Sequence, residues 1–164
     1  MDRLVCFDSN VVIWGIKKQA TPSQLHMIAK TEKYIEALDK SKIQILIPSV
    51  VIAEILSNEP KEKHGEILKE LSQNKFVIGH FNTLTAKIFS ELFGENIQHD
   101  KEYRTENQIR KDKMKLDYMI VATAIENNAS YICSNDIKDL EAFSKGKIRI
   151  LNVPEIPEQA ELIS

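Results

Sequence analysis

The stretch LVCFDSNVVIW, residues 4–14, decides how the rest of the chain is read. Residues 4–7 are apolar and residues 11–14 are apolar, and between them stand Asp8, Ser9 and Asn10. A short run of this kind predicts a buried strand. A carboxylate set into such a run is costly to take out of water unless something holds it. In a parallel α/β sheet, ligands bind beyond the carboxyl ends of the strands, and an acid directly after a strand falls at that edge.

The chain beyond this stretch alternates in the same manner. Strand candidates lie at 4–7, 43–47, 75–78, 130–133 and 148–151. Helical patterns fill the intervals at 24–38, 50–56, 63–72, 85–93, 118–127 and 137–143. Alternating β and α elements predict an α/β fold, a mostly parallel sheet of about five strands with helices on both faces. Residues 94–115 break the pattern, being polar and nearly without apolar periodicity. They read as a loop, or as a solvated extension of the helix that follows.

The totals narrow the classes. A chain of 164 residues, 43% of them hydrophobic, suits a single globular domain over 1–164 with a real core. A net charge of -2 excludes a polycation, so nucleic-acid contact would come from a local patch. Cys6 and Cys133 lie in apolar runs without metal-type spacing and read as buried, reduced thiols. The first residues carry too short an apolar run, interrupted by charge, for a signal peptide. No stretch approaches the roughly 20 apolar residues of a membrane span. These readings place the chain in a reducing cytoplasm, away from membranes.

Four carboxylates fall at the sheet's carboxyl edge. Asp8 follows the first strand and Asp136 the fourth. Glu54 lies in the first turns of the helix after the second strand, and Asp117 near the start of the helix before the fourth. Helices in such units run opposite to the strands, so their beginnings lie at the same edge. Asp117 shares its helical face with Ile120, Val121 and Ala124, the apolar side, whereas Glu54 sits at a rim position. Taken singly, each acid has a plain structural reading: Asp8 as a helix cap, Asp136 with Asp139 as a cap and an acid three residues on, Glu54 as a rim charge. Together they would repel one another, and a divalent cation relieves that repulsion. Oxygen-only ligands favour Mg²⁺ or Mn²⁺. The four histidines, His26, His64, His80 and His99, are scattered and read as surface residues.

Four pieces of the chain, FDSNVV, PSVVIAEIL, KLDYMIVATAIENNASYI and CSNDIKDLEAF, occur in an order that resembles the PIN domain family, many of whose members are VapC-type toxins paired with an antitoxin. Residues 94–115 and 61–72 lie outside the match. The resemblance implies a three-layer α/β/α sandwich and a metal-dependent ribonuclease that hydrolyses RNA to products with a 5′-phosphate. It carries over Asp8, Glu54, Asp117 and Asp136 as catalytic and metal-binding acids. It further implies Ser134 as the hydroxyl that orients the last acid, Asn10 as a polar neighbour of the first, and Asp139 as an additional acid.

An acidic cleft must still attract a polyanion. Residues 101–115 hold Lys101, Arg104, Arg110, Lys111, Lys113 and Lys115, and only Arg3 and Arg149 lie outside this run among the arginines. Arg104, Arg110 and Lys111 are the candidate RNA contacts, with Tyr103 as a stacking surface. The alternative is a solvated helix whose charge is offset by Glu102, Glu106 and Asp112. The apolar faces of 24–38 and 50–56 offer either a groove for a partner helix, as an antitoxin would supply, or surfaces filled within the domain or across a homodimer. Two other functions fit parts of the pattern. A PIN-like module that binds RNA or protein without catalysis would keep the fold. A haloacid-dehalogenase-like phosphatase would use Asp8, but Asn10 stands where its acid/base belongs and Glu54 has no role there.

Overall fold

The computed structural model describes residues 3–158, built around one five-stranded sheet. The strands are β1 (Leu4–Phe7), β2 (Gln44–Pro48), β3 (Phe76–Gly79), β4 (Tyr131–Cys133) and β5 (Arg149–Leu151). Their spatial order is β3-β2-β1-β4-β5, and all four pairings are parallel. Val5, Cys6, Phe7, Ile45, Leu46, Ile47 and Ile132 are fully buried, as strands covered on both faces require. β1 pairs with β4 through Cys6 opposite Ile132 and Phe7 opposite Cys133, so the two cysteines stand one position apart on neighbouring strands, on opposite faces of the sheet, as free, buried thiols.

The helices are α1 (Ser9–Val12), α2 (His26–Lys40), α3 (Ser49–Ser57), α4 (Lys61–Leu71), α5 (Thr83–Gly94), α6 (Ile97–Glu106), α7 (Lys111–Glu126) and α8 (Ile137–Ser144). A π-helical turn, Ile13–Lys17, continues α1 and is joined by α2 and α4. α2 covers β2 from one side, while α7 lies against β2 and β4 with α5 and α8 flanking it. The result is the three-layer sandwich expected from the alternation. At Gly79, the end of β3, an added Cβ would stand 2.7 Å from Thr123 Cγ2, so the missing side chain lets α7 press close to the sheet.

Three corrections concern the helices. Residues 94–115 are not a loop, and only the part from Lys111 extends the next helix; Ile97–Glu106 forms a helix of its own. α6 is capped by Asn96, whose side chain accepts from the His99 N–H at 3.2 Å. It is pinned by Asp100, 3% exposed, which accepts from Tyr118 Oη and pairs with Lys145 Nζ at 3.0 Å. The apolar faces of α2 and α3 are not a free groove, since Met27, Tyr34, Ile35, Leu38, Val51 and Ile55 belong to the domain's own core. His64 is half-buried rather than a surface residue: its Nε2 lies 2.8 Å from the Leu56 carbonyl and 3.0 Å from that of Glu59, latching the end of α3. Among the described residues, no helix is long and apolar enough to cross a membrane.

Candidate active site

The strand order reverses direction at β1. The chain runs outward from β1 through β2 to β3, then returns to the other side of β1 for β4 and β5. The crevice at the carboxyl ends of β1 and β4 is therefore the topological switch point, where open α/β sheets place their ligands. Asp8 and Asp136 leave the sheet there.

Asp8 is 3% exposed and serves as the N-cap of α1, its Oδ1 accepting from the Ser9 N–H at 2.8 Å. The cap reading of this residue holds, but capping occupies only one oxygen. The other, Oδ2, accepts from Ser134 Oγ at 2.6 Å. Ser134 Oγ in turn accepts from the Asp136 N–H at 2.8 Å. Ser134 thus orients the first acid directly and the last through its backbone, where the resemblance implied the last alone. Asn10 ties the same two loops together, its Oδ1 accepting from the Asn135 N–H at 3.3 Å.

Asp136 begins α8, yet its side chain makes no capping hydrogen bond, so its carboxylate remains available to the crevice. Burial first, and then the charge of Asp139, hold its carboxyl above the usual range. Asp117 lies in the second turn of α7 and is 1% exposed. Its Oδ1 accepts from Lys113 Nζ at 2.6 Å, and its Oδ2 has no hydrogen-bond partner. Burial pushes the Asp117 carboxyl up to about 7; Lys113 pulls it down, and the charges of Asp8 and Asp136 add to the rise. An isolated buried carboxylate oxygen is among the costlier things a fold can carry, and it marks the site more sharply than a count of acids does.

Glu54 stands apart from these three. It is half-exposed on α3 and accepts from Ser9 Oγ, which links it to the residue after Asp8. Lys113 Nζ also lies 3.6 Å from Asp136 Oδ2, so one ammonium bridges the second and third members of the cluster. Burial alone would lower the Lys113 pKa, but the charges of Asp117, Asp8 and Asp136 outweigh it and raise it. In the sequence this lysine stands only as one more cation of the basic run. Its role shows once Asp117, four residues on, is known to be buried.

The donor set of carboxylates with no sulfur or imidazole suits a hard divalent ion, and the orphaned Asp117 Oδ2 is an acceptor in want of one. As the side chains stand, among the described residues no three His, Cys, Asp or Glu groups close on one point as ligands. Two of the acids, Asp117 and Asp136, are instead paired with the Lys113 ammonium.

The polar flank lies beside this crevice. Tyr103 Oη donates to Asp139 Oδ1 at 2.7 Å, and Lys138 Nζ donates to Asn107 Oδ1 at 2.8 Å, fastening α6 to the first turn of α8. The Tyr103 ring packs edge-on against Phe143 and lies under Lys138, so it is spent within the fold and is no open stacking platform. Arg110 is exposed and paired with Asp112, whereas Arg104 and Lys111 form no ion pair among the described residues.

No protein-family model and no curated protein matches the chain. Among solved structures it is similar to VapBC2 from Rickettsia felis bound to a DNA fragment from their promoter, with a TM-score of 0.63 and 21% identity, over 92% of this chain and 99% of that one. At this identity the likeness is one of fold. It agrees with the PIN-like sandwich implied by the sequence pieces, and it spans nearly the whole of both chains.

Proposed function

We propose that this protein is a metal-dependent ribonuclease that hydrolyses RNA phosphodiester bonds, and that it is the toxin of a toxin–antitoxin pair. The observation that carries the nuclease reading is the linkage of Asp8, Asp136 and Asp117 through Ser134 and Lys113 at the switch point, with Asp117 Oδ2 left unpartnered. These three, with Glu54 at the rim, would hold Mg²⁺ or Mn²⁺. Such an ion supplies a more acidic water and offsets negative charge on the phosphate. The protein's own contribution is placement. Ser134 fixes Asp8, the β4–α8 turn fixes the backbone of Asp136, and the packed α7 fixes that of Asp117, so the acids are held at one edge of the sheet by the fold itself. Among the described residues, no hydrogen bond joins a histidine side chain to Asp8, Glu54, Asp117 or Asp136; that of His64 is engaged with the Leu56 and Glu59 carbonyls.

The cations of the flank, half-buried Arg104 and exposed Arg110 and Lys111, would guide the RNA. Changing Arg104, Arg110 and Lys111 together to Ala is expected to weaken RNA binding and to reduce the slope of log affinity against log salt by about 2, since each phosphate that a cation neutralises adds roughly 0.7 to that slope on a single strand. Turnover at saturating RNA should change little. Filter binding across a salt series measures this, and an unchanged slope returns the flank to a purely structural role.

The toxin reading is supported by the likeness in fold to VapBC2, solved bound to a DNA fragment from its promoter; a partner protein that restrains this chain is part of the proposal. Expression of the wild type alone in its native host is expected to arrest growth, with none from Asp8→Asn and rescue by a small co-expressed protein that co-purifies with it. Normal growth at high levels of soluble, active protein would eliminate the toxin role and leave the nuclease standing.

A further inference from the structure

Lys113 is paired in a way that surface lysines are not. Its Nζ lies 2.6 Å from Asp117 Oδ1 and 3.6 Å from Asp136 Oδ2. Of the ion pairs among the described residues, only those of Lys113 involve any of the four acids. Its partner Asp117 is 1% exposed, so the pair is not a solvated i,i+4 contact of little worth. Yet the Lys113 side chain itself is 45% exposed. It reaches in along the face of α7 from a partly solvent-exposed position on a four-carbon stem of rotatable bonds.

An ammonium and a divalent ion cannot share this space on easy terms. Both are drawn by the same oxygens, and at a separation of a few ångströms they repel each other in a partly dry crevice. Asp117 and Asp136, moreover, both face the ammonium, and among the described residues no three ligand groups close on a common point.

We infer that Lys113 is a resident counter-cation that competes with the metal for the carboxylate cluster, so that a divalent ion enters by displacing it and Lys113 sets the ion concentration at which the site loads. The inference rests on the proposed metal-dependent function and deepens it. It assigns to this lysine a regulatory role in place of the RNA-contact role given to its neighbours Arg110 and Lys111. The logic is that of any binding site whose competent state is partly populated: apparent affinity falls by the fraction of time the lysine is withdrawn. A lysine seated about 90–99% of the time weakens apparent metal affinity about 10–100-fold.

The test titrates Mn²⁺ into the full chain and reads the free aqueous ion by its paramagnetic resonance signal, which needs no substrate. Lys113→Gln and Lys113→Met are expected to bind Mn²⁺ about 10–100-fold more tightly than the wild type. Lys113→Arg, which keeps the charge, should stay within a few-fold of it. Adding Asp117→Asn to Lys113→Gln should abolish the tight binding, which shows that the gain arises in this cluster. Circular dichroism checks that each variant is folded, and the two neutral replacements guard against a defect peculiar to one. Wild-type binding with no gain in either neutral variant, or a gain that survives Asp117→Asn, overturns the inference and leaves the nuclease reading intact. No Mn²⁺ binding in any form, together with no Mn²⁺-dependent cleavage, overturns the function itself and this inference with it.

Discussion

Asp117→Asn is expected to lower metal-dependent RNA cleavage by on the order of a thousandfold or more, with the fold unchanged. Loss of a group that merely supports a metal ligand already costs about 10–100-fold, and Asp117 is proposed as a ligand itself. The amide keeps the shape of the carboxylate, so the buried position is not emptied. What disappears is the charge that a cation needs. Asp8→Asn should behave alike: its carbonyl oxygen can still cap α1 at the Ser9 N–H, and the Ser134 hydroxyl can turn to accept from the new amide. Asp136→Asn is the third of the set. Single-turnover cleavage with Mn²⁺ measures the chemistry, and the Mn²⁺-induced rise in melting temperature measures ion binding apart from it. Normal cleavage and a normal Mn²⁺-induced rise in Asp117→Asn would remove the cluster as the active site.

The second large effect is on stability. Asp117 has its carboxyl raised from 3.8 to about 7 in the folded protein. Between those values the native state keeps a proton that the unfolded chain has lost, so stability falls as pH rises through this window. The contribution is fully present below about pH 4 and gone above about 7. A tenfold difference in proton affinity between the two states is worth about 1.4 kcal/mol, so the raised carboxyl gives a total on the order of 4 kcal/mol, of which about 3 kcal/mol falls between pH 5 and pH 8. Other groups titrate in the same range, so the measured quantity is a difference: wild type against Asp117→Asn, by urea unfolding in EDTA at pH 5 and pH 8. Relative to the variant, the wild type should lose on the order of 3 kcal/mol over that interval. A flat difference would show that Asp117 is ionised throughout and that its burial is better compensated than its surroundings indicate.

The fold was legible because parallel strands buried on both faces announce themselves as short, continuous apolar runs. All five strand candidates coincide with observed strands to within a residue or so at each end. Three of the four acids were legible for a related reason: a charged residue at the end of such a run, or on the apolar face of a helix, conflicts with its setting, and Asp8, Asp117 and Asp136 are all such conflicts. Glu54 did not conflict with its rim position, and it remains the member least bound to the others. α6 was hidden because its anchor is polar. A buried Asp100 held by Tyr118 and Lys145 leaves no apolar stripe to find, and the partners come from distant parts of the chain. Lys113 was hidden in plain view. A lysine four residues before an aspartate is ordinary on a helix surface. Only the burial of one partner gives the pair its meaning, and burial is a property of the fold.

The anchoring of α6 also bears on how a long polyanion would be received. Many basic segments that meet nucleic acid are unstructured until they bind, and the ordering of the chain then subtracts from affinity. Here Arg104 is carried on a formed helix, capped by Asn96, pinned at Asp100 and fastened to α8 by Tyr103 and Asn107, and Lys111 opens the packed α7. The conformational entropy of these helices is lost when the domain folds, not when RNA arrives. On the proposed function this part of the flank is therefore a pre-formed template rather than an adaptable arm, and an RNA strand, not the protein, would have to conform on contact.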